Sequence, residues 1–148
     1  MISQGLYILE EYKLSRITLL FIISSLTYLC LGVTLGVLLT LFPGVIGFLL
    51  AMHVHTNLLG WVSMMIFAVA YHVLPRFSGK PLYSDRLADL HLILSNIGLI
   101  GLLTSWPLSK YYYGAPIFRM TLTGSALLYA VAAFMFVYNI GKTVFGKE

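Results

Sequence analysis

A chain of 148 residues that is 59% hydrophobic and only 9% charged, with a mean hydropathy of +0.92, is not a water-soluble domain. The net charge of +4 is too modest for a nucleic-acid surface and fits loops that face the cytoplasm. The single cysteine, Cys30, falls inside the first apolar run, which excludes an internal disulfide and argues against a thiolate centre.

Residues 1–15 place Ile2, Leu6, Leu9 and Tyr12 at near-helical spacing among Glu10, Glu11 and Lys13, the pattern of a short interfacial segment. No basic stretch precedes them, so no cleavable signal peptide is expected. Four apolar runs follow, each near the ~20 residues that cross a bilayer. They predict one all-α integral membrane domain over residues 1–148, with spans at about 16–41, 45–75, 86–106 and 117–140. The first span carries Gly32-x-x-x-Gly36, a small-residue face on which another helix can lie. Pro43-Gly44 makes an uncharged turn. The second span runs to Pro75-Arg76, and at ~1.5 Å per residue it exceeds the hydrocarbon thickness, so it tilts or projects. A polar, basic connection over 76–86 leads to Ser84 as the N-cap of the third span, which Pro107 closes. Tyr111, Tyr112 and Tyr113 mark a headgroup-level loop before the fourth span, which Gly141-Lys142 ends.

Lysine and arginine placement orients the chain. With both termini inside, Lys13, Arg16, Arg76, Lys80, Arg86, Lys142 and Lys147 lie on the inner side, against Lys110 and Arg119 outside. The expected location is therefore the cytoplasmic membrane, multi-pass, in contact with lipid.

The chemistry sits on the second span, in Met52-His53-Val54-His55-Thr56-Asn57-Leu58-Leu59-Gly60-Trp61. Two imidazoles in hydrocarbon are costly unless they hold something. Residues i and i+2 of a helix point about 200° apart, so His53 and His55 cannot chelate one metal but suit two irons on opposite flanks. Asn57 and Gly60 continue the His53 flank, and their small size leaves room for a flat macrocycle against the backbone. Leu58, Leu59, Val62 and Ile66 continue the His55 flank as an apolar wall. The bound group expected from these residues is haem, with His53 and His55 as axial ligands and Asn57 and Gly60 in contact with it. It is non-covalent, since no CxxCH is present. The competing reading makes both rings structural, hydrogen-bonded to neighbouring helices. His72 and His91, toward the inner side, form either a small metal site or a pair of interfacial and loop-tethering histidines. No span contains Asp, Glu or Lys away from its ends, so a carboxylate proton relay is not expected.

His53-Val54-His55-Thr56-Asn57-Leu58-Leu59-Gly60-Trp61 and Tyr71-His72-Val73-Leu74-Pro75-Arg76-Phe77 resemble the tenth helix of the catalytic subunit of haem-copper oxidases. The likeness is to the cbb-type enzymes first and the nitric oxide reductases second. Leu82-Tyr83-Ser84, Leu90-His91-Leu92, Asn96-Ile97-Gly98 and Thr104-Ser105-Trp106 resemble that family's next loop and eleventh helix, so the likeness covers about residues 45–107. The resemblance implies that His53 serves the active-site haem and His55 the low-spin haem. The family's copper or non-haem iron ligands lie on other helices, and this chain has no place for them, so proton-pumping oxygen reduction is not expected. The family subunit consists of three blocks of four helices, and its histidine-bearing second, sixth and tenth helices are each second in their block, as the histidine helix is here. The resemblance therefore implies one such block, a homotrimer that rebuilds the ring, and a b-type haem between His53 of one protomer and His55 of the next.

Three functions follow from these readings. The first is a haem b protein acting in electron transfer, with a quinol or cytochrome as donor, or in binding nitric oxide or oxygen as an oxidoreductase. The second is a non-catalytic accessory subunit that docks on a larger terminal oxidase or nitric oxide reductase through Gly32 and Gly36. The third is a metal carrier or sensor using His72 and His91, with copper as its metal.

Overall fold

The computed structural model describes residues 14–146 and consists of four long helices. The expected interfacial segment falls largely on residues 1–13, outside the described residues. Helix α1, Arg16–Leu41, starts at Ser15, whose hydroxyl accepts from the Thr18 amide at 3.3 Å. Helix α2, Pro43–Ser78, opens with a 3₁₀ turn at Pro43–Val45. It continues as α-helix over Ile46–His55, widens to a π-helix over Thr56–Ser63, and returns to α-helix over Met64–Ser78. Helix α3, Asp85–Tyr111, is capped by Ser84, which accepts from the Leu87 amide at 3.2 Å. Helix α4, Pro116–Phe145, begins with proline at its first position. All four are long and apolar enough to cross a membrane, and the chain is a multi-pass membrane protein.

The helices run past the boundaries that their prolines suggest. Pro75 lies inside α2, which ends only at Gly79, where φ is +62°. There the Gly79 and Lys80 amides reach back to the Arg76 and Pro75 carbonyls, both at 3.1 Å. Pro107 likewise lies inside α3, which continues to Tyr111 and takes in the start of the expected tyrosine loop. Each proline removes one backbone donor without stopping the helix, a pattern that membrane helices tolerate where neighbouring groups compensate.

The starts of α1 and α3 and the ends of α2 and α4 meet at one end of the bundle. Arg16 and Asp89 form an exposed ion pair at 3.3 Å. Asn139 of α4 clamps the 79–84 connection: its amide donates to the Ser84 carbonyl at 2.8 Å and its oxygen accepts from the Ser84 amide at 3.0 Å. Thr143 accepts from the Tyr83 amide, and Lys80 donates to the Gly146 carbonyl. Above this end sits the core: Phe21, Met64, Phe67, Ala68, Tyr71, Ala88 and Leu99. Large apolar side chains such as Leu26, Val33, Phe134 and Val137 remain exposed, as on a surface that faces hydrocarbon.

A widened helix segment leaves carbonyls that do not follow the ordinary ladder, and in hydrocarbon they need other donors. Three side chains supply them. Ser25 of α1 donates to the Trp61 carbonyl at 2.9 Å, Tyr129 of α4 to the Leu59 carbonyl at 3.0 Å, and Ser63 to the Leu58 carbonyl at 2.9 Å. The π segment is thus held from both sides of the bundle, directly after the two histidines.

A candidate haem-ligand pair on the second helix

His53 and His55 are both half-buried, on a stretch of α2 (Ile46–His55) that contains no fully buried residue. Their rings take different sides. His53 faces α1, with its Nδ1 2.9 Å from the Gly32 carbonyl. His55 bonds back along its own helix, its Nδ1 2.7 Å from the Ala51 carbonyl, and its ring lies 6.2 Å from that of Trp106 on α3. The two flanks expected from helix geometry are therefore present, one against α1 and one beside α3.

The chemical consequence lies in the tautomer. A carbonyl only accepts, so each Nδ1 carries the proton. The tautomer with its proton on Nδ1 carries its lone pair on Nε2, the nitrogen with which such a histidine ligates a metal. His53 makes the interhelical bond that a purely structural role requires, and it makes it with Nδ1 alone.

Glycines on α1 shape the His53 side. A Cβ on Gly36 would stand 3.0 Å from His53 Cε1, and one on Gly32 would stand 2.6 Å from both terminal atoms of Asn57. Asn57 in turn donates from Nδ2 to the His53 carbonyl at 2.8 Å. The Gly32-x-x-x-Gly36 face is thus covered by this chain's own His53 and Asn57. It is not open to a larger partner, which removes the docking route expected for an accessory subunit. Gly60 also departs from expectation. The room beside it is filled by Tyr28, whose Cγ lies 2.5 Å from where a glycine Cβ would stand, so Gly60 admits an aromatic ring of α1 rather than leaving a platform. On the other flank Leu58, Val62 and Ile66 are exposed, an apolar wall open to the outside of the bundle. Thr56, between the flanks, is fully buried with its hydroxyl unpartnered.

His72 and His91 have separate surroundings. His72 accepts at Nδ1 from the Arg76 guanidinium at 2.8 Å, which leaves its proton on Nε2 and a cation at its side. In that posture it offers no lone pair. His91 is completely buried inside the bundle, with Nδ1 3.1 Å from the Tyr71 hydroxyl. Among the described residues no three His, Cys, Asp or Glu side chains gather as a metal cage. A donor set of two separate imidazoles suits a group that brings its own equatorial ligands and needs only axial nitrogen, as haem iron does. The sequence alone did not bring out Trp106 beside His55, nor the carbonyls of Gly32 and Ala51, which carry no side-chain signal.

The family profile described as Cytochrome C and Quinol oxidase polypeptide I matches residues 47–146, reaching through α4 and so beyond the stretch that carried the resemblance. Quinol oxidase subunit 1 of Sulfolobus acidocaldarius is 29% identical over 89 residues, which is 57% of this chain and 16% of that protein. Cytochrome c oxidase subunit 1 of Rhodobacter capsulatus is 41% identical over 49 residues, 32% of this chain and 9% of that protein. A cytochrome c oxidase subunit 1 homolog of Agrobacterium tumefaciens is 37% identical over 49 residues, again 32% and 9%. The matched region thus spans less than a fifth of these relatives' length. No solved structure matches the chain. With two-thirds of its length under that profile, the chain belongs to the cytochrome c and quinol oxidase polypeptide I family of haem-copper oxidases.

Proposed function

We propose that this protein binds haem b through Nε2 of His53 and of His55 and serves electron transfer, or the binding of a small gas such as nitric oxide or oxygen. The observation that carries the reading is the pair of Nδ1 contacts with the Gly32 and Ala51 carbonyls, which occupies Nδ1 of each ring and leaves Nε2 as its ligating nitrogen. Bound haem would supply one-electron chemistry at its iron. The chain's own residues would do the rest. Gly32 fixes the His53 ring, Asn57 holds the helix backbone behind it, Gly60 lets Tyr28 close the α1 contact, and Leu58, Val62 and Ile66 offer an apolar face.

Since the two nitrogens emerge on different flanks, one protomer does not bring them to one iron. A homotrimer, in which the His53 flank of one copy meets the His55 flank of the next, gives each haem two imidazoles and leaves none unused. The electron donor in this reading is a quinol or a cytochrome. Spectra of the purified protein, the haem-to-polypeptide ratio and the assembled mass test it together. The expected result is one haem per chain in a trimer, with His53→Ala and His55→Ala each disturbing every haem. A parent protein that contains no haem after haem-replete expression refutes it. A Soret band unmoved by carbon monoxide selects electron transfer over gas binding.

The small share of the relatives' length that is matched favours a second reading, in which the chain works beside other subunits that carry the remaining metal ligands. Co-purification from native membrane, with haem retained only in the larger assembly, would select it.

A further inference from the structure

Two polar atoms near the loop end of the bundle are left without partners. His91 is completely buried on α3, its ring 4.9 Å from Phe21, 4.6 Å from Phe67 and 5.5 Å from Phe136 between centroids. Tyr71 occupies its Nδ1, and its Nε2 has no hydrogen-bond partner. Ser95, also completely buried, has none for its hydroxyl. The two residues are four apart on one helix, so their side chains stand one above the other on the same face, with Cβ atoms about 5–6 Å apart. Buried polar atoms are almost always satisfied, by protein or by ordered water.

A cavity of about 430 Å³ opens on the same end of the bundle, lined by Tyr71, Pro75, Lys80, Pro81, Leu82 and Asp85. Tyr71 therefore faces the cavity on one side and His91 on the other. The Asn139 amide lies within reach of the same hydroxyl. Polar groups thus follow one another from the 79–84 connection to the interior: Ser84, Asn139, Tyr71, His91, Ser95.

We propose that His91 Nε2 and Ser95 Oγ hold one buried water between them, and that this site fills from the loop-end cavity past the Tyr71 hydroxyl. Water is the ligand that fits because it both donates and accepts. With the Tyr71 hydroxyl donating to Nδ1, the ring proton sits on Nε2, which donates to the water, and the water donates to Ser95. In the other tautomer the water donates to Nε2 and accepts from Ser95. A metal ion has no third ligand here, since no three metal-binding side chains gather among the described residues. The site makes the loop-end half of a membrane bundle hydrated, and it is independent of haem.

The test is solid-state NMR of the full chain in lipid bilayers with ¹⁵N-labelled histidine, reading transfer from water to the ring nitrogens and exchange in D₂O. The expected result is a water cross-peak on His91 and a ring N–H that exchanges despite complete burial. Ser95→Ala is expected to lose that cross-peak, and Tyr71→Phe to keep it while slowing exchange. A parent His91 with neither cross-peak nor exchange overturns the site, and that measurement needs no variant to fold. A full cross-peak in Ser95→Ala overturns the shared water, and unchanged exchange in Tyr71→Phe overturns the route.

Discussion

Gly32→Ala is the sharpest probe of how α1 holds the helix that carries His53 and His55. The added Cβ would lie 2.6 Å from Asn57 Nδ2 and Oδ1 and 2.7 Å from its Cγ, so something has to yield. The cheapest response is rotation of the Asn57 amide, which breaks its 2.8 Å bond to the His53 carbonyl. A side-chain hydrogen bond in a membrane bundle is worth about 0.6–1.7 kcal/mol, and residual crowding adds to it, so the expected cost is about 1–2 kcal/mol. Asn57→Ala removes the same bond and the crowding atoms together, at about 1 kcal/mol. In the double variant the clash has no partner, so its cost stays near that of Asn57→Ala alone. Reversible unfolding of the four proteins from detergent into denaturing micelles, followed by helicity, gives the cycle. Costs that simply add in the double variant would show that Gly32 and Asn57 do not oppose one another, and the geometry behind His53 would be wrong.

Other outcomes follow from the same contacts. Gly60→Ala drives a Cβ into the base of the Tyr28 ring, which cannot swing away as an amide end can, and is expected to destabilise by about 1–3 kcal/mol. Gly124→Ala, with nothing within 4 Å of its Cβ position, is expected to be neutral or to stabilise by up to about 1 kcal/mol in the same unfolding assay. Asn139→Ala strips both hydrogen bonds from the Ser84 backbone and should cost about 2–4 kcal/mol, with faster hydrogen exchange confined at first to the 79–84 connection. Arg16→Ala breaks an ion pair whose side chains are 77% and 41% exposed, and a shift beyond about 1 kcal/mol in unfolding would contradict its placement at the surface.

Much of the architecture is legible in the residues because hydrocarbon tolerates so few of them. Four apolar runs of spanning length can only be helices, and Ser84 marks a helix start by chemistry that acts within one turn. Pro75 and Pro107 misled because a proline's local cost is smaller than the cost of leaving a membrane helix early. The opposite flanks of His53 and His55 follow from helix geometry alone, and Asn57 and Gly60 do share the His53 side. That α1 would fill this side depends on which helix the Gly32 and Gly36 face meets, and the spacing of two glycines does not name the partner. That the bundle encloses His91 completely does not follow from its place early in its helix. Its burial depends on Phe21, Phe67 and Phe136, which come from three other places in the chain.

The widened turns at Thr56–Ser63 also fix an angle. A residue more or less in a helix swings everything beyond it by about 100°. The segment therefore sets the phase between two halves of α2 that do separate things: the half with His53 and His55, and the half that aims Tyr71 at His91. Deleting Leu58 would leave the histidines in place and rotate the Tyr71 half away from its partners, so two distant sites on one helix share a single adjustable joint.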